Sequence, residues 1–142
     1  MNVKNIRHFN RFYTRILGVF NNRVFDLDYS LLEMRALGEI GRCEGITSNE
    51  LTTILSIDKT YLSRILKKLK QNDLIYRQKD EIDQRLFHLY LTKDGIDLYH
   101  YIETQSDNQI AANLKGLSAK EITELETSMK TIEKLLSKTT TN

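Results

Sequence analysis

The chain has 142 residues, 40% of them hydrophobic and 28% charged, which is the balance of a soluble globular domain and excludes a disordered tail. No stretch approaches the roughly 20 consecutive apolar residues of a membrane span, and a single cysteine, Cys43, cannot close an internal disulfide, so a cytoplasmic protein without membrane attachment is expected. The formal net charge of +2 is small but unevenly placed: residues 57–85 hold eight Lys or Arg against five acids, while the stretch from Lys93 to the end holds six bases against eight acids.

With no proline in the chain, helix ends are read from caps and glycines. The first helix is predicted from about Val3 to Phe20 or a little beyond, because Ile6, Phe9, Tyr13, Ile16, Leu17 and Phe20 recur at helical spacing. A second covers about Ser30 to Gly41, a third about Ser48 to Leu55. Ser30 with Glu33 and Thr47 with Glu50 have the spacing of capping boxes, and Tyr29 with Met34 and Ile46 with Leu51 that of hydrophobic staples. After Ser56-Ile57-Asp58 a fourth helix runs to about Asn72, capped by Asp58.

From Leu74 the pattern changes. Ile75 to Lys79 and Leu86 to Leu91 are β-prone runs separated by the polar segment Asp80 to Arg85, which reads as a hairpin. Thr92-Lys93-Asp94-Gly95 then opens a long helix through Ile102 and towards Leu114. Ser118 and Glu121 form a third capping box before a last helix from Ala119 to about Leu136, and Thr139 to Asn142 reads as a frayed tail. The fold class is mainly α (α+β). Two short helices joined by a tight turn, the second basic and followed by a hairpin, make a winged helix-turn-helix.

The fourth helix has two faces. Leu62, Ile65, Leu66 and Leu69 fall on one side, and Thr60, Ser63, Arg64 and Lys67 centre almost opposite. Hydroxyls near a helix start can hold phosphates, and an arginine fork can read the O6 and N7 acceptors of guanine in a major groove. Lys59, Thr60, Tyr61, Ser63 and Arg64 occupy the half that usually meets bases, while Lys67, Lys68 and Lys70 suit phosphates. Alone, such a helix is equally an ordinary solvated amphipathic one. The hairpin, with Arg77 and Lys79 on its first strand and Asp83-Gln84-Arg85 at its tip, adds a long cation able to enter a minor groove. Asp83 could hold that arginine or a neighbouring base.

At this point the residues resemble a known family. Leu51 to Leu55, Asp58 to Leu69, Leu74 to Arg77, and above all Asp83-Gln84-Arg85 followed by Leu89-Tyr90-Leu91-Thr92-Lys93-Asp94-Gly95 look like the MarR family of bacterial transcription regulators. Ile6 to Arg15 and Tyr29 to Arg35 are similar to the regulator half of MarR-acetyltransferase fusions, with no residues here for an acetyltransferase. The resemblance implies one domain over 1–142: a DNA-binding lobe at about 30–92, and dimerisation helices at about 3–20 and 93–137. It further implies a homodimer on a palindromic double-stranded DNA operator, acting as a repressor released by a small-molecule effector or another signal. A winged-helix protein-interaction module without DNA binding is the alternative; it would lack Arg64, Lys67 or Arg85. Asp73 stands where the family commonly has glycine, so a left-handed residue is expected there.

The apolar stripes of the first and last helices also call for a partner chain. Arg11, Tyr13 and Arg15 could face an effector crevice, although ordinary surface and core positions are the simpler reading. The same holds for Cys43 beside Arg42 as a redox sensor. His8, His88 and His100 are widely spaced, and no nucleophile, nucleotide or zinc signature occurs. Neither enzyme activity, a metal nor a cofactor is expected.

Overall fold

The computed structural model describes residues 1–20 and 23–140. The chain divides into two compact units, Met1–Glu103 and Thr104–Asn142. Along it run α1 (Val3–Leu17), α2 (Leu31–Arg42), β1 (Ile46–Thr47), α3 (Ser48–Leu55), α4 (Lys59–Gln71), β2 (Ile75–Lys79), β3 (Phe87–Leu91), α5 (Lys93–Asn113) and α6 (Ala119–Ser137).

The first helix is shorter than predicted. Gly18 turns into the left-handed region at φ 69° and its N–H bonds back to the carbonyls of Thr14 and Arg15, so α1 stops at Leu17 and Phe20 lies outside it, 84% exposed. The expected extension past Phe20 falls on positions 21 and 22, outside the described residues, as do the last two residues of the tail.

The caps at Ser30 and Ser118 are full reciprocal boxes: each hydroxyl accepts from the backbone N–H three residues on, and each glutamate accepts from the cap's own N–H. Such a cap contributes about 1 kcal/mol. Thr47 makes only half a box. Its hydroxyl accepts from the Glu50 N–H at 3.2 Å, and Thr47 is at the same time the last residue of β1, opposite His88 of β3.

That two-residue β1 is the element the sequence reading lacked. It pairs antiparallel with β3, which pairs antiparallel with β2, so the sheet order is β1-β3-β2. The expected hairpin is therefore the outer part of a three-stranded sheet anchored beside α3. Its buried end joins the core of Met34, Ala36, Leu37, Ile40, Ile46, Leu51, Leu62, Ile65, Leu69, Leu74, Ile75, Leu89 and Leu91. Each large side chain so buried stabilises the fold by about 1.5–3 kcal/mol relative to exposure. β2 buries only Ile75 and β3 buries Leu89 and Leu91, so the hairpin residues from Gln78 to His88, none of them buried, stand away from the core.

In the second unit α6 follows the Ser118 box, and its Met129, Ile132, Leu135 and Leu136 remain exposed. Among the described residues no helix is long and apolar enough to cross a membrane.

Candidate nucleic-acid interface

The link between α3 and α4 is only three residues long because Ser56 takes a left-handed conformation, φ 53° and ψ 46°. Its N–H bonds to the Thr53 carbonyl and the next, Ile57, to that of Thr52, which closes α3. Asp58 then opens α4 by accepting the Tyr61 N–H at 2.7 Å. The carboxylate satisfies an otherwise orphan donor and sits at the positive end of the helix dipole.

α4 buries Leu62, Ile65 and Leu69. That fixes its rotation, and Lys59, Thr60, Ser63, Arg64 and Lys67 together line an open, shallow groove on the other side. A wider depression continues from it past Ser48, Asn49 and Thr52 of α3 to Lys70 and to Arg77 of β2. Among the described residues no carboxylate lies within ion-pair distance of Lys59, Arg64, Lys67, Lys70, Lys79 or Arg85. A cationic surface without internal counter-charges attracts a polyanion.

The hairpin loop is organised by its own carboxylates. Asp80 Oδ2 accepts the N–H groups of Ile82 and Asp83 at 3.0 and 2.9 Å, and Asp83 Oδ1 accepts the Arg85 N–H at 3.1 Å. Asp83 thus holds the arginine's backbone, and the Arg85 side chain is exposed. The Asp83 N–H, then His88 and the Ile82 N–H, hold the Asp80 carboxyl down at about 2, against an ordinary 3.8.

The MarR family model matches residues 26–86, from the approach to α2 to the end of the hairpin loop. Over that span the chain is similar to the MarR family. It is 26% identical over 108 residues to YybA of Bacillus subtilis, an uncharacterised HTH-type transcriptional regulator, covering 75% of this chain and 72% of that protein. With the HTH-type transcriptional regulator MgrA of Staphylococcus aureus it shares 31% over 80 residues, 56% of this chain and 53% of that protein, so the match spans about half of MgrA.

Among solved structures, a Listeria monocytogenes protein of the MarR transcriptional regulator class, complexed with 26mer DNA, superposes with a TM-score of 0.76 at 26% identity, covering 94% of this chain and 89% of that one. Streptococcus pneumoniae FabT, also in complex with DNA, has the same fold, with a TM-score of 0.78 at 21% identity over 94% of this chain and 98% of its own.

Within this MarR-type winged helix the predicted residues separate into groups. Lys59, Thr60, Ser63, Arg64 and Lys67 share one groove, with Tyr61 exposed beside them. Arg77 joins the adjoining depression, its guanidinium 4.5 Å from the centre of the Phe87 ring. Lys79, Asp83 and Arg85 are exposed on the wing.

Lys68 is elsewhere. Its ammonium donates to the Asp28 carbonyl at 2.8 Å, pairs with Glu33 at 3.1 Å and lies 4.9 Å from the Tyr29 ring centre. A lysine expected to meet phosphate instead ties α4 to the start of α2. Conversely, Ser48, Asn49 and Thr52 of α3 border the cationic face without having been singled out, because hydroxyls at a capped helix start look like local caps in sequence. Cys43 is exposed at the end of α2, and no metal-binding cluster occurs among the described residues.

Proposed function

We propose that the chain is a sequence-specific transcription regulator that binds double-stranded DNA as a homodimer. The observation that carries this reading is the α4 face of Lys59, Thr60, Ser63, Arg64 and Lys67, exposed and without carboxylate partners, beside a wing that presents Arg85. α4 has the position of a recognition helix, with Lys59, Thr60, Tyr61, Ser63 and Arg64 towards base edges and Lys67 towards phosphates. Arg85 reaches the flanking minor groove, with Asp83 setting its backbone, and Arg77 and Lys79 support the wing on the backbone side. Lys68 belongs to the scaffold. The MarR-type relative crystallised with DNA supports this reading.

Exposed apolar side chains on α1 (Ile6, Phe9, Phe12, Ile16) and, separately, on α6 (Met129, Ile132, Leu135, Leu136) support the homodimer, because a soluble chain rarely leaves such stripes uncovered. Two-fold symmetry then calls for a palindromic operator with half-sites about one helical turn apart. The lobe at about 30–92 carries the DNA contacts, and the helices at about 3–20 and 93–137 the subunit contacts. Repression relieved by a small molecule or another signal, and a cytoplasmic location, follow from the family resemblance. The curated relatives are named as transcriptional regulators, and the chemistry assigned here is binding without turnover.

Selection of bound genomic fragments, followed by anisotropy titration of the selected duplex and a scrambled one, tests the proposal. Salt-sensitive preference for a palindrome is expected, and equal affinity for both duplexes would refute sequence reading.

A further inference from the structure

The wing contains a histidine with an acceptor on each ring nitrogen. His88 sits in β3, opposite Thr47 of β1 and Gln78 of β2. Its Nδ1 lies 2.7 Å from the Gly45 carbonyl oxygen, in the turn before β1, and its Nε2 lies 2.8 Å from Asp80 Oδ1 at the base of the wing loop. A carbonyl and a carboxylate can only accept, and a neutral imidazole has a single N–H. Both contacts are hydrogen bonds together only when the ring is the imidazolium.

The bonds continue to the wing tip. The other oxygen of Asp80 holds the N–H groups of Ile82 and Asp83, and Asp83 holds the N–H of Arg85. His88 therefore connects the fixed turn at Gly45, through one carboxylate, to the loop that presents the arginine. In the sequence His88 stands far from His8 and His100 with no metal-like spacing, and the partners the fold gives it are 43 and 8 residues away.

Resting on the DNA-binding reading above, we propose that the protonated His88, acting through Asp80, is a positioning residue for the wing: it sets the loop from which Arg85 reaches DNA, and loss of its proton loosens that loop and weakens binding. The groups around the ring favour the cation. Asp80 from the wing loop and Glu50 from α3 are both acidic and raise its affinity for a proton, as does the Gly45 carbonyl. From β1 the facing residue is Thr47 and from β2 it is Gln78, both uncharged. Arg77 and Lys79, flanking Gln78, alternate onto the other face of the strand. When the proton leaves, one of the two bonds must go, and the Gly45–His88–Asp80 bridge opens whichever nitrogen keeps its hydrogen.

The test uses the full chain. Ring nitrogen NMR of His88 across pH reads the clamp without DNA, and anisotropy titrations on the selected palindrome at about pH 6 and about pH 8.5 read its effect. We expect a midpoint above the ordinary value of about 6.5, both ring nitrogens protonated below that midpoint, and a wild-type affinity that falls by roughly three- to tenfold over that range. H88Q and R85A should each flatten the profile, the first because nothing titrates, the second because the wing has lost its contact. D80N should lower the ring midpoint. A His88 midpoint at or below the ordinary value, or the same pH slope in H88Q as in wild type, would overturn the proposal. Wild-type protein that binds no palindrome at either pH would also overturn it, and a ring titration that still shows the clamp would then assign that failure to the DNA-binding reading.

Discussion

A β-carbon on Gly95 would collide with the backbone carbonyl oxygen of Leu74. The two chain segments approach this closely because Thr92 joins them: its N–H bonds to that same Leu74 carbonyl at 3.0 Å, its hydroxyl donates to the Asp73 carbonyl at 2.7 Å, and the hydroxyl accepts the Gly95 N–H at 3.0 Å. The threonine and glycine before and inside α5 are thus a structural stitch that fixes the exit of α4 against the start of α5. Gly95→Ala is expected to destabilise the protein by about 2–3 kcal/mol, the cost of overpacking against backbone that cannot give way. Urea unfolding measures it, and an unchanged midpoint would show that the approach relaxes freely.

Lysines 67 and 68 are neighbours in sequence with opposite assignments. Lys67 lines the open groove, so Lys67→Gln should reduce the salt slope of DNA binding by about one while leaving unfolding nearly untouched. Lys68 is held by Asp28 and Glu33, and Lys68→Gln should cost roughly 1 kcal/mol of stability and keep the salt slope. Exchange of the two outcomes would reverse the assignments.

Arg64 and Arg85 should also differ in kind. Removing a fork that reads a base relaxes specificity at one position by about 1–3 kcal/mol, so Arg64→Ala is expected to narrow the gap between the selected operator and a single-base variant. Arg85→Ala should weaken both duplexes, most of all where the flanking sequence is A·T-rich and the minor groove narrow. Competition titrations on a panel of single-base variants separate the two patterns.

The pH dependence of stability has two opposite limbs. Asp80 titrates near 2 in the folded chain against an ordinary 3.8, so its contribution is present above the ordinary value and is lost as pH falls through about 2. His88 is raised from its ordinary 6.5, so its contribution is present below that value and is lost as pH rises through the folded midpoint. Thermal melts should show wild type above Asp80→Asn at mildly acidic pH, with the gap closing towards about pH 2. A gap that persists undiminished would separate the carboxylate's charge from its effect.

The sequence made some elements plain and concealed others for physical reasons. The caps at Ser30, Asp58 and Ser118 are local devices, legible within four residues, and α2, α4 and α6 begin as they predict. Asp73, expected to be left-handed, has φ 57°. β1 stayed hidden because two residues carry no periodicity, and it exists only through its pairing with β3. Lys68 was misplaced because its partners lie 40 and 35 residues upstream, beyond any pattern a helical face can show. The cationic groove was visible as a stripe on α4, but its continuation onto Ser48, Asn49 and Thr52 depends on how α3 packs, which spacing alone does not encode.

Sedimentation of the purified chain alone and with an equimolar selected palindrome, at low and at physiological salt, tests the central claim most directly. The account predicts a dimer in the absence of DNA and one dimer per palindrome in its presence, with a half-site duplex bound far more weakly. A chain that sediments as a single subunit and leaves every duplex free at low salt would contradict it.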